Sequence, residues 1–244
     1  MMDMENNLDL SIGEIVTKDF RTASVFSEYG IDFCCGGDKT LKEACEEKSV
    51  NVSKLQDKLD MAIQSKAEGV DFNSWPLGLL VDYIEKTHHT YIKGKSPVLL
   101  QYLEKISEVH GKRHPELIEI YDLFLHSTMD LEMHLNKEER ILFPFIRQLV
   151  EYKNSGQHME SGHFGTIQNP IAMMKEEHVK EGERFDTISK LSGGYAVPED
   201  ACDTYRVAYA MLNEFEQDLH KHIHLENNIL FPKAIQLEKL LLSY

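Results

Sequence analysis

Several features that mark whole classes of protein are scarce or missing in this chain of 244 residues. Its four cysteines are too few for a disulfide framework, and no apolar run approaches the roughly 18 residues of a membrane span. No stretch shows the sustained apolar and polar alternation of a half-buried strand. These absences exclude a disulfide-stapled, a helical membrane and a mainly β protein, and they leave a helical globular one.

Positive charge is also in short supply. The chain carries 26 Lys and Arg against 41 Asp and Glu, a formal net charge of -15. Nucleic acids and anionic membranes bind basic surfaces, so neither is expected as a partner. The first residues lack the basic and apolar regions of a signal peptide, and we therefore expect a soluble, cytoplasmic protein.

Residues 1–70 predict a small N-terminal domain of short helices. Ser11, followed three residues later by Glu14, is a capping-box pattern that begins the first helix. Capping and turn residues separate the helical stretches, which are expected at 12–18, 20–29, 40–48 and 52–64. The polar stretch 65–73 resembles a linker.

Residues 74–244 predict a second domain of four long helices. Helical stretches begin near residues 74, 115, 169 and 198. A loop is expected at 154–165, and Pro144 predicts a kink or break in the second long helix. Long helices on short connections favour an up-down bundle. The predicted fold is therefore all-α, a four-helix bundle with a small helical N-terminal domain.

The strongest positive signal is a phrase of eleven residues that occurs twice, 88 positions apart. The copies are residues 134–144 and 222–232, and six of their eleven positions are identical. Each copy has a His and, four residues later, a Glu, which lie on one face of an α-helix about one turn apart. Two such helices facing each other would bring four side chains to a common centre: His134, Glu138, His222 and Glu226.

Histidines on the other two bundle helices complete this set. The third long helix has one interior histidine, His178, and the first has the pair His88 and His89. Helical phase from Val81 and Ile84 turns His88 towards the core. The spacing of 89 residues to His178, almost that of the repeat, favours His89 instead. Either choice gives a centre of four His and two Glu.

That ligand set predicts a non-haem di-iron centre. Imidazole and carboxylate both bind iron, and a carboxylate can bridge two metals. With two bridging Glu and an oxo or hydroxo bridge, each iron keeps one position for a small ligand. Structural zinc sites favour cysteine, which this set lacks, whereas manganese or a mixed pair fits the same spacing. The simpler interpretation of a single His and Glu pair is a surface ion pair, and the duplication argues against it.

A Cys34-Cys35-Gly-Gly motif lies in the N-terminal part, outside the repeat. One interpretation is two small residues buried in a turn, since a disulfide between adjacent cysteines is strained. The other is a thiol pair that binds iron or nitric oxide or undergoes redox exchange, with its pKa lowered by the helix that begins near Thr40. Cys45 and Cys202 are expected to be small buried residues.

The Cys-Cys-Gly-Gly motif, the two Ile-Leu-Phe-Pro phrases and Glu177-His178 together resemble the RIC family, for repair of iron centres. In that family a ScdA-type N-terminal domain precedes a hemerythrin-like domain, and the resemblance covers about residues 8–235. It assigns the metal ligands to His89, His134, Glu138, His178, His222 and Glu226. The chain lacks the fifth His and the His-x4-Asp motif of oxygen-carrying hemerythrins, which argues against simple oxygen transport.

The resemblance implies a protein with two non-haem irons, bridged by oxo and carboxylate groups. Its implied role is the repair of iron-sulfur clusters after nitrosative or oxidative damage, with iron donation as one route. The implied partners are damaged iron-sulfur proteins as clients, and nitric oxide or oxygen species as small ligands. The thiol pair Cys34 and Cys35 is the candidate catalytic group.

Two other functions fit the same residues. One is an enzyme that reduces nitric oxide at a diferrous site, and the other is a non-catalytic protein that binds oxygen, nitric oxide or iron. The sequence does not decide whether the protein is an enzyme. A homodimer is expected, because the small N-terminal domain needs a surface to pack against, such as a partner's bundle.

Overall fold

The computed structural model describes residues 8–64, 70–156 and 164–243. Within these ranges the chain forms helices, turns and loops, and no strand beyond an isolated bridge between Ser11 and Thr40. The all-α prediction is confirmed. Part of the predicted linker, 65–69, and part of the predicted loop, 157–163 with His158 and His163, lie outside the described residues.

The N-terminal part consists of four short helices. They are α1 (Ile12–Lys18), α2 (Ala23–Glu28), α3 (Leu41–Glu47) and α4 (Val52–Gln64). The capping box of Ser11 and Glu14 at the start of α1 is confirmed, and Thr40 with Glu43 forms a second one at α3. The helix expected at 20–29 begins as a 3₁₀ turn, Phe20–Thr22, because the Asp19 side chain accepts the Arg21 backbone N–H.

Four long helices form the bundle, and three of them contain a π-helical turn. In the first, α5 (Leu77–Tyr83) and α6 (Thr90–His110) flank the π turn Ile84–His89. In the second, α7 (Glu116–Lys137) and α8 (Phe143–Ser155) flank the π turn Glu138–Leu142. The third is α9 (Gln168–Leu191). In the fourth, α10 (Asp203–Leu225) and α11 (Phe231–Leu242) flank the π turn Glu226–Leu230.

The sequence predicts a kink or break at Pro144, and the structure shows no break of the second bundle helix there. It lies in the first turn of α8, directly after the π turn. The backbone N–H of Phe143 bonds to the carbonyl of Glu138, five residues back, so the missing N–H of proline falls where the α-helical ladder is already interrupted. Pro232 occupies the same place after the second copy of the phrase.

The bundle has two apolar cores with a polar layer between them. In the first core, Leu131 and Leu135 of α7 pack with Leu219 and Ile223 of α10. The second core surrounds the π turns and includes residues such as Leu142, Phe143, Leu225, Ile229 and Phe231. Between the cores lies a group of buried His and Glu side chains, which is the layer where the candidate ligands meet.

The N-terminal helices pack on the bundle of their own chain and extend its first core. Ile12, Phe26 and Leu41 belong to the same apolar cluster as the bundle residues. The Asn228 side-chain amide donates to the Phe33 carbonyl at 3.2 Å, which ties the N-terminal part to the last π turn. The homodimer is predicted because the N-terminal part needs a surface to pack against, and the bundle of the same chain already provides one. This packing does not test the homodimer, which remains a prediction.

Candidate metal centre

Six candidate ligands come together in the polar layer, although they lie on four different helices. The π turns supply His89, Glu138 and Glu226, while α7, α9 and α10 supply His134, His178 and His222. All six side chains are buried, none more than 3% exposed. The sequence brings them together because each repeat copy places its His and Glu on one helical face.

The six side chains form two overlapping groups that share both carboxylates. In each group the candidate ligand atoms lie within 4.8 Å of one another. The first group contains His89 and His222 with the two glutamates, and the second contains His134 and His178 with the same glutamates. Each group is thus two imidazoles and two carboxylates, the donor set that suits iron, zinc or manganese.

Each carboxylate lies between the two histidine pairs. Glu226 places Oε1 3.0 Å from His222 Nε2 and Oε2 3.2 Å from His178 Nε2. Glu138 Oε2 lies 3.4 Å from Nε2 of both His89 and His134. Both carboxylates are nevertheless without a hydrogen bond among the described residues, as are Nε2 of His89 and His222. Buried, orphaned oxygens and nitrogens that converge in this way fit a cation.

The electrostatics of the layer also favour a cation. Burial and the neighbouring charge of Glu226 raise the pKa of Glu138. Burial acts the same way on Glu226, but His222 and His178 outweigh it and hold its pKa well below the usual value. Burial likewise opposes the charged form of His178, yet the nearby Glu226 carboxylate raises the pKa of His178 to about 9. Two carboxylates this close repel each other unless positive charge lies between them.

The structure places His89, and not His88, in the ligand group. His89 Nε2 points at Glu138, while His88 bonds through Nδ1 to Asp218 Oδ1 at 2.9 Å. Both are 1% exposed, since the π turn that contains them turns two consecutive residues inward. Helical phase from Val81 and Ile84 correctly indicates that His88 is buried, and the wider turn explains why the adjacent His89 is buried as well.

Three residues outside the predicted ligand set hold the far nitrogen of a candidate ligand. Glu139 bonds to Nδ1 of His89 at 2.8 Å, and Glu177 bonds to Nδ1 of His134 at 2.8 Å. Asn227 Oδ1 lies 2.9 Å from Nδ1 of His178 on α9. Such outer partners orient ligand imidazoles. The signal was available, because Glu139 and Asn227 occupy the same position of the repeated phrase.

A cavity of about 140 Å³ reaches the centre from one side of the bundle. Its lining includes three candidate ligands, His134, His178 and His222, together with Lys137 and Glu177. Glu177 bonds to His134 and Lys137, and these contacts lower its pKa to about 2. The cavity is large enough for a diatomic molecule or water beside the ligands and leaves a charged rim at its opening.

The Cys34 and Cys35 pair lies in a turn that is organised by Asp32. The Asp32 carboxylate accepts the backbone N–H of Cys34, Cys35 and Gly36 at 2.9, 2.9 and 3.0 Å. The hydrogen bond to Cys35 and burial raise the pKa of the Cys34 thiol well above its usual value. The lowered pKa expected from the nearby helix is therefore wrong for Cys34, since burial and the acidic neighbour outweigh that helix.

The turn that holds this pair also touches the candidate centre. Cys35 Sγ lies 3.4 Å from the carbonyl oxygen of His178. Asn227 contacts the His178 ring through its oxygen and donates its amide N–H to the Cys34 carbonyl at 3.1 Å. One side chain thus connects the thiol turn with a candidate ligand. Cys45 is buried as expected, whereas Cys202 is exposed at the start of α10 beside His110.

Comparisons with known proteins agree with this two-part organisation. Residues 8–63 match a family model described as a domain of unknown function (DUF542), and residues 81–234 match the hemerythrin HHE cation binding domain. The chain is 35% identical to the iron-sulfur cluster repair protein YtfE of Dickeya chrysanthemi, over 93% of this chain and 97% of that protein. The chain belongs to this family of iron-sulfur cluster repair proteins.

Other members of the repair family show a similar likeness. The iron-sulfur cluster repair protein YtfE of Pectobacterium carotovorum is 34% identical over 93% of this chain and 97% of its own length. A probable iron-sulfur cluster repair protein of Haemophilus influenzae is 34% identical over 86% of this chain and 90% of its own length. The cation-binding description of the second domain fits the buried His and Glu groups. No helix among the described residues is long and apolar enough to cross a membrane.

Proposed function

We propose that this protein supports the repair of iron-sulfur clusters damaged by nitrosative or oxidative stress, and that two iron ions form its working centre. The observation that carries the proposal is the position of Glu138 and Glu226, each in contact with histidines of both groups. Such shared carboxylates suit two metals better than one. The names of the family members add iron-sulfur proteins as the class of client.

Bound iron would supply redox chemistry and an exchangeable position for nitric oxide or an oxygen species. The protein's own residues hold the site. Glu139, Glu177 and Asn227 orient three imidazoles, and the two apolar cores keep bulk water away from the ligands. The cavity gives a small ligand access.

The metal content of paired variants tests the centre. Anaerobic reconstitution with ferrous iron is expected to give two irons per chain, with an oxo-bridge absorption band after oxidation. Glu138→Gln should lose at least one iron, because the amide cannot share negative charge between two metals. Glu132→Gln, an exposed change on the same helix, is the matched control. One metal per chain in the wild type, or two in Glu138→Gln, would contradict the shared-carboxylate centre.

A reconstitution assay tests repair itself. A dehydratase whose [4Fe–4S] cluster has been damaged by nitric oxide is mixed, in the presence of a chelator, with the iron-loaded protein. The control mixture contains the same chelator and the same amount of ferrous iron without the protein. Recovery of activity with the protein, and none with chelated iron, is the expected result. Equal recovery in both mixtures would mean that the protein contributes nothing beyond iron.

Reduction of nitric oxide is a second candidate function, and the cavity favours it. A space of about 140 Å³ beside three candidate ligands accommodates diatomic molecules and excludes large substrates. Anaerobic addition of nitric oxide with a reductant, followed by gas analysis, separates the two functions. Sustained nitrous oxide production supports an enzyme, whereas a single stoichiometric reaction leaves a binding or repair protein.

We propose that the thiol pair passes iron or a nitrosyl group between the centre and a client. The supporting contacts are Cys35 Sγ on the His178 carbonyl and Asn227 between His178 and Cys34. Cys35 also lines a groove of about 620 Å³ between the N-terminal part and the bundle, where a client segment would fit. The double variant Cys34→Ala/Cys35→Ala should keep its iron and lose repair. Unchanged repair would remove the thiols from the mechanism.

We further propose a cytoplasmic homodimer. All four cysteines are free in the structure, which suits a reducing compartment. Cell fractionation and a solution mass measurement by sedimentation test the two parts separately. A periplasmic location, or the mass of one chain at micromolar concentration, would contradict them.

A further inference from the structure

Three of the four candidate histidine ligands have an outer partner, and one does not. Nδ1 of His89, His134 and His178 bonds to Glu139, Glu177 and Asn227. Nδ1 of His222 is buried and has no hydrogen-bond partner among the described residues. A ligand imidazole almost always donates this second N–H. The structure therefore leaves one donor without an acceptor.

The internal duplication predicts where the missing acceptor lies. Position 139 of the first copy corresponds to position 227 of the second, 88 residues on. Glu139 contacts Nδ1 of His89, and Asn227 contacts Nδ1 of the equivalent histidine of the second half, His178. The ligand His134 corresponds to His222. The partner of His134 is Glu177, and the residue that corresponds to it on the first bundle helix, 89 positions earlier, is His88.

The geometry of His88 fits that role. Its Nδ1 lies 2.9 Å from an oxygen of Asp218, and a carboxylate oxygen accepts, so Nδ1 is the donor of this contact and Nε2 is the ring nitrogen left to accept. That Nε2 is buried and has no partner among the residues described. The ring is within 6° of parallel to the ring of His222, with centroids 5.9 Å apart. A buried nitrogen that lacks a donor and a buried nitrogen that lacks an acceptor thus lie on neighbouring, nearly parallel rings.

We propose that His88 is the positioning residue of His222. Nε2 of His88 accepts the Nδ1–H of His222 once Nε2 of that ring binds metal, and Asp218 fixes the tautomer of His88. Asp218, His88 and His222 would then form one continuous hydrogen-bonded chain that ends at the metal site. This inference rests on the proposed metal centre, and it concerns the metal held by His89 and His222.

A pair of variants separates this role from simple packing. His88→Gln keeps both functions, since its amide N–H donates to Asp218 and its oxygen accepts from His222. His88→Met fills a similar volume but has no strong acceptor. Anaerobic titration with cobalt(II), followed through its visible spectrum, should show that His88→Met binds one of two metals about 10- to 100-fold more weakly. His88→Gln should bind both like the wild type.

Exchangeable imidazole N–H signals of the cobalt protein give a second readout. Paramagnetic proton NMR should show four slowly exchanging signals in the wild type and in His88→Gln, and only three in His88→Met. Asp218→Asn should weaken the same metal in the same direction, which keeps the test open if His88→Met does not fold. Equal affinities and equal N–H signals in all variants would overturn the inference. A wild type that binds no pair of metals would instead overturn the proposed centre.

Discussion

At the scale of the residue, the centre depends on how ordinary titratable groups are buried. Glu138 and Glu226 have the same side chain and opposite pKa shifts, because Glu226 faces two imidazoles closely while Glu138 is dominated by burial. Burial lowers the pKa of His222 to about 3, so this ring is neutral and its Nε2 is available to a metal. The protonation of each candidate ligand thus depends on its burial and its charged neighbours, which a sequence pattern does not reveal.

A carboxyl group away from the centre provides a pH prediction. Burial, with the charge of Asp186, raises the pKa of Glu216 from the usual 4.5 to about 7. The unfolded chain releases this proton near pH 4.5 and the folded chain near pH 7, so the folded state loses stability as the pH rises through that interval. Glu216→Gln should therefore be more stable than the wild type at pH 8, by about 1 to 2 kcal/mol after allowance for partial exposure.

Denaturant unfolding at two pH values checks this expectation. The difference between Glu216→Gln and wild type should be near zero at pH 4 and appear at pH 8. Glu132→Gln, at an exposed position, should show no such dependence. A stabilisation that is equal at both pH values would mean that the carboxyl group is not what the variant removes.

At the scale of the element, the π turns explain which predictions succeeded and which failed. The four long helices and the convergence of five of the six side chains could be predicted, because repeated phrases and helical spacing are visible in the sequence, whereas those patterns left the choice between His88 and His89 open. The π turns could not, since a periodicity of 3.6 residues cannot represent a turn with one extra residue. The π turn of the first bundle helix explains why His88 and His89 are both buried, and that of the second explains why Pro144 is tolerated without a break.

A glycine contact provides the prediction for the thiol turn. A Cβ on Gly37 would lie 2.8 Å from the Phe33 carbonyl oxygen and 3.0 Å from Asn228 Oδ1. Gly37→Ala should therefore displace the turn from the bundle and expose Cys34, which is 3% exposed. Alkylation of Cys34 by iodoacetamide, followed by mass spectrometry, should become at least about tenfold faster, as expected if docking is weakened by about 1.4 kcal/mol.

The matched control is Gly94→Ala on α6, where an added Cβ meets nothing within 4 Å. This change should leave the alkylation rate of Cys34 unaltered and stabilise the helix by about 0.5 to 1 kcal/mol. If Gly37→Ala left Cys34 as protected as Gly94→Ala does, the turn would be held by something other than this close approach.

At the scale of the whole molecule, the N-terminal part and the bundle share one core. The sequence predicted the short helices and their caps, but not the surface on which they pack, because that contact depends on Asn228, His224 and Phe20 meeting in three dimensions. Asn228 holds the Phe33 carbonyl, and the His224 ring packs on Phe20 and Phe33. The repeated phrase therefore does not predict that the N-terminal part docks on the bundle of its own chain.

Metal removal should destabilise the whole chain, because the candidate ligands lie on four helices. A ligand that binds only the folded state stabilises it by about 3 to 4 kcal/mol at 100 to 1,000 times its dissociation constant. Chelation of the iron-loaded protein should lower the midpoint of thermal unfolding, and added ferrous iron should restore it. Glu226→Gln, which lacks one of the two shared carboxylates, should show a smaller difference between its unfolding midpoints with and without iron. A midpoint that ignores iron in the wild type would argue against metal binding in the folded core.

Each candidate metal group draws one histidine from each half of the duplication. His89 pairs with His222, and His134 pairs with His178, so neither half of the chain contains a complete group. Each half therefore supplies half of the candidate ligands of both groups. Two identical chains, each about as long as the 88-residue repeat and related by a twofold axis, would assemble the same centre at their interface. The bundle thus resembles such a dimer joined into one chain. Its halves differ in that the second contacts the thiol turn through Asn227, and in that the first bundle helix has a π turn and the third does not.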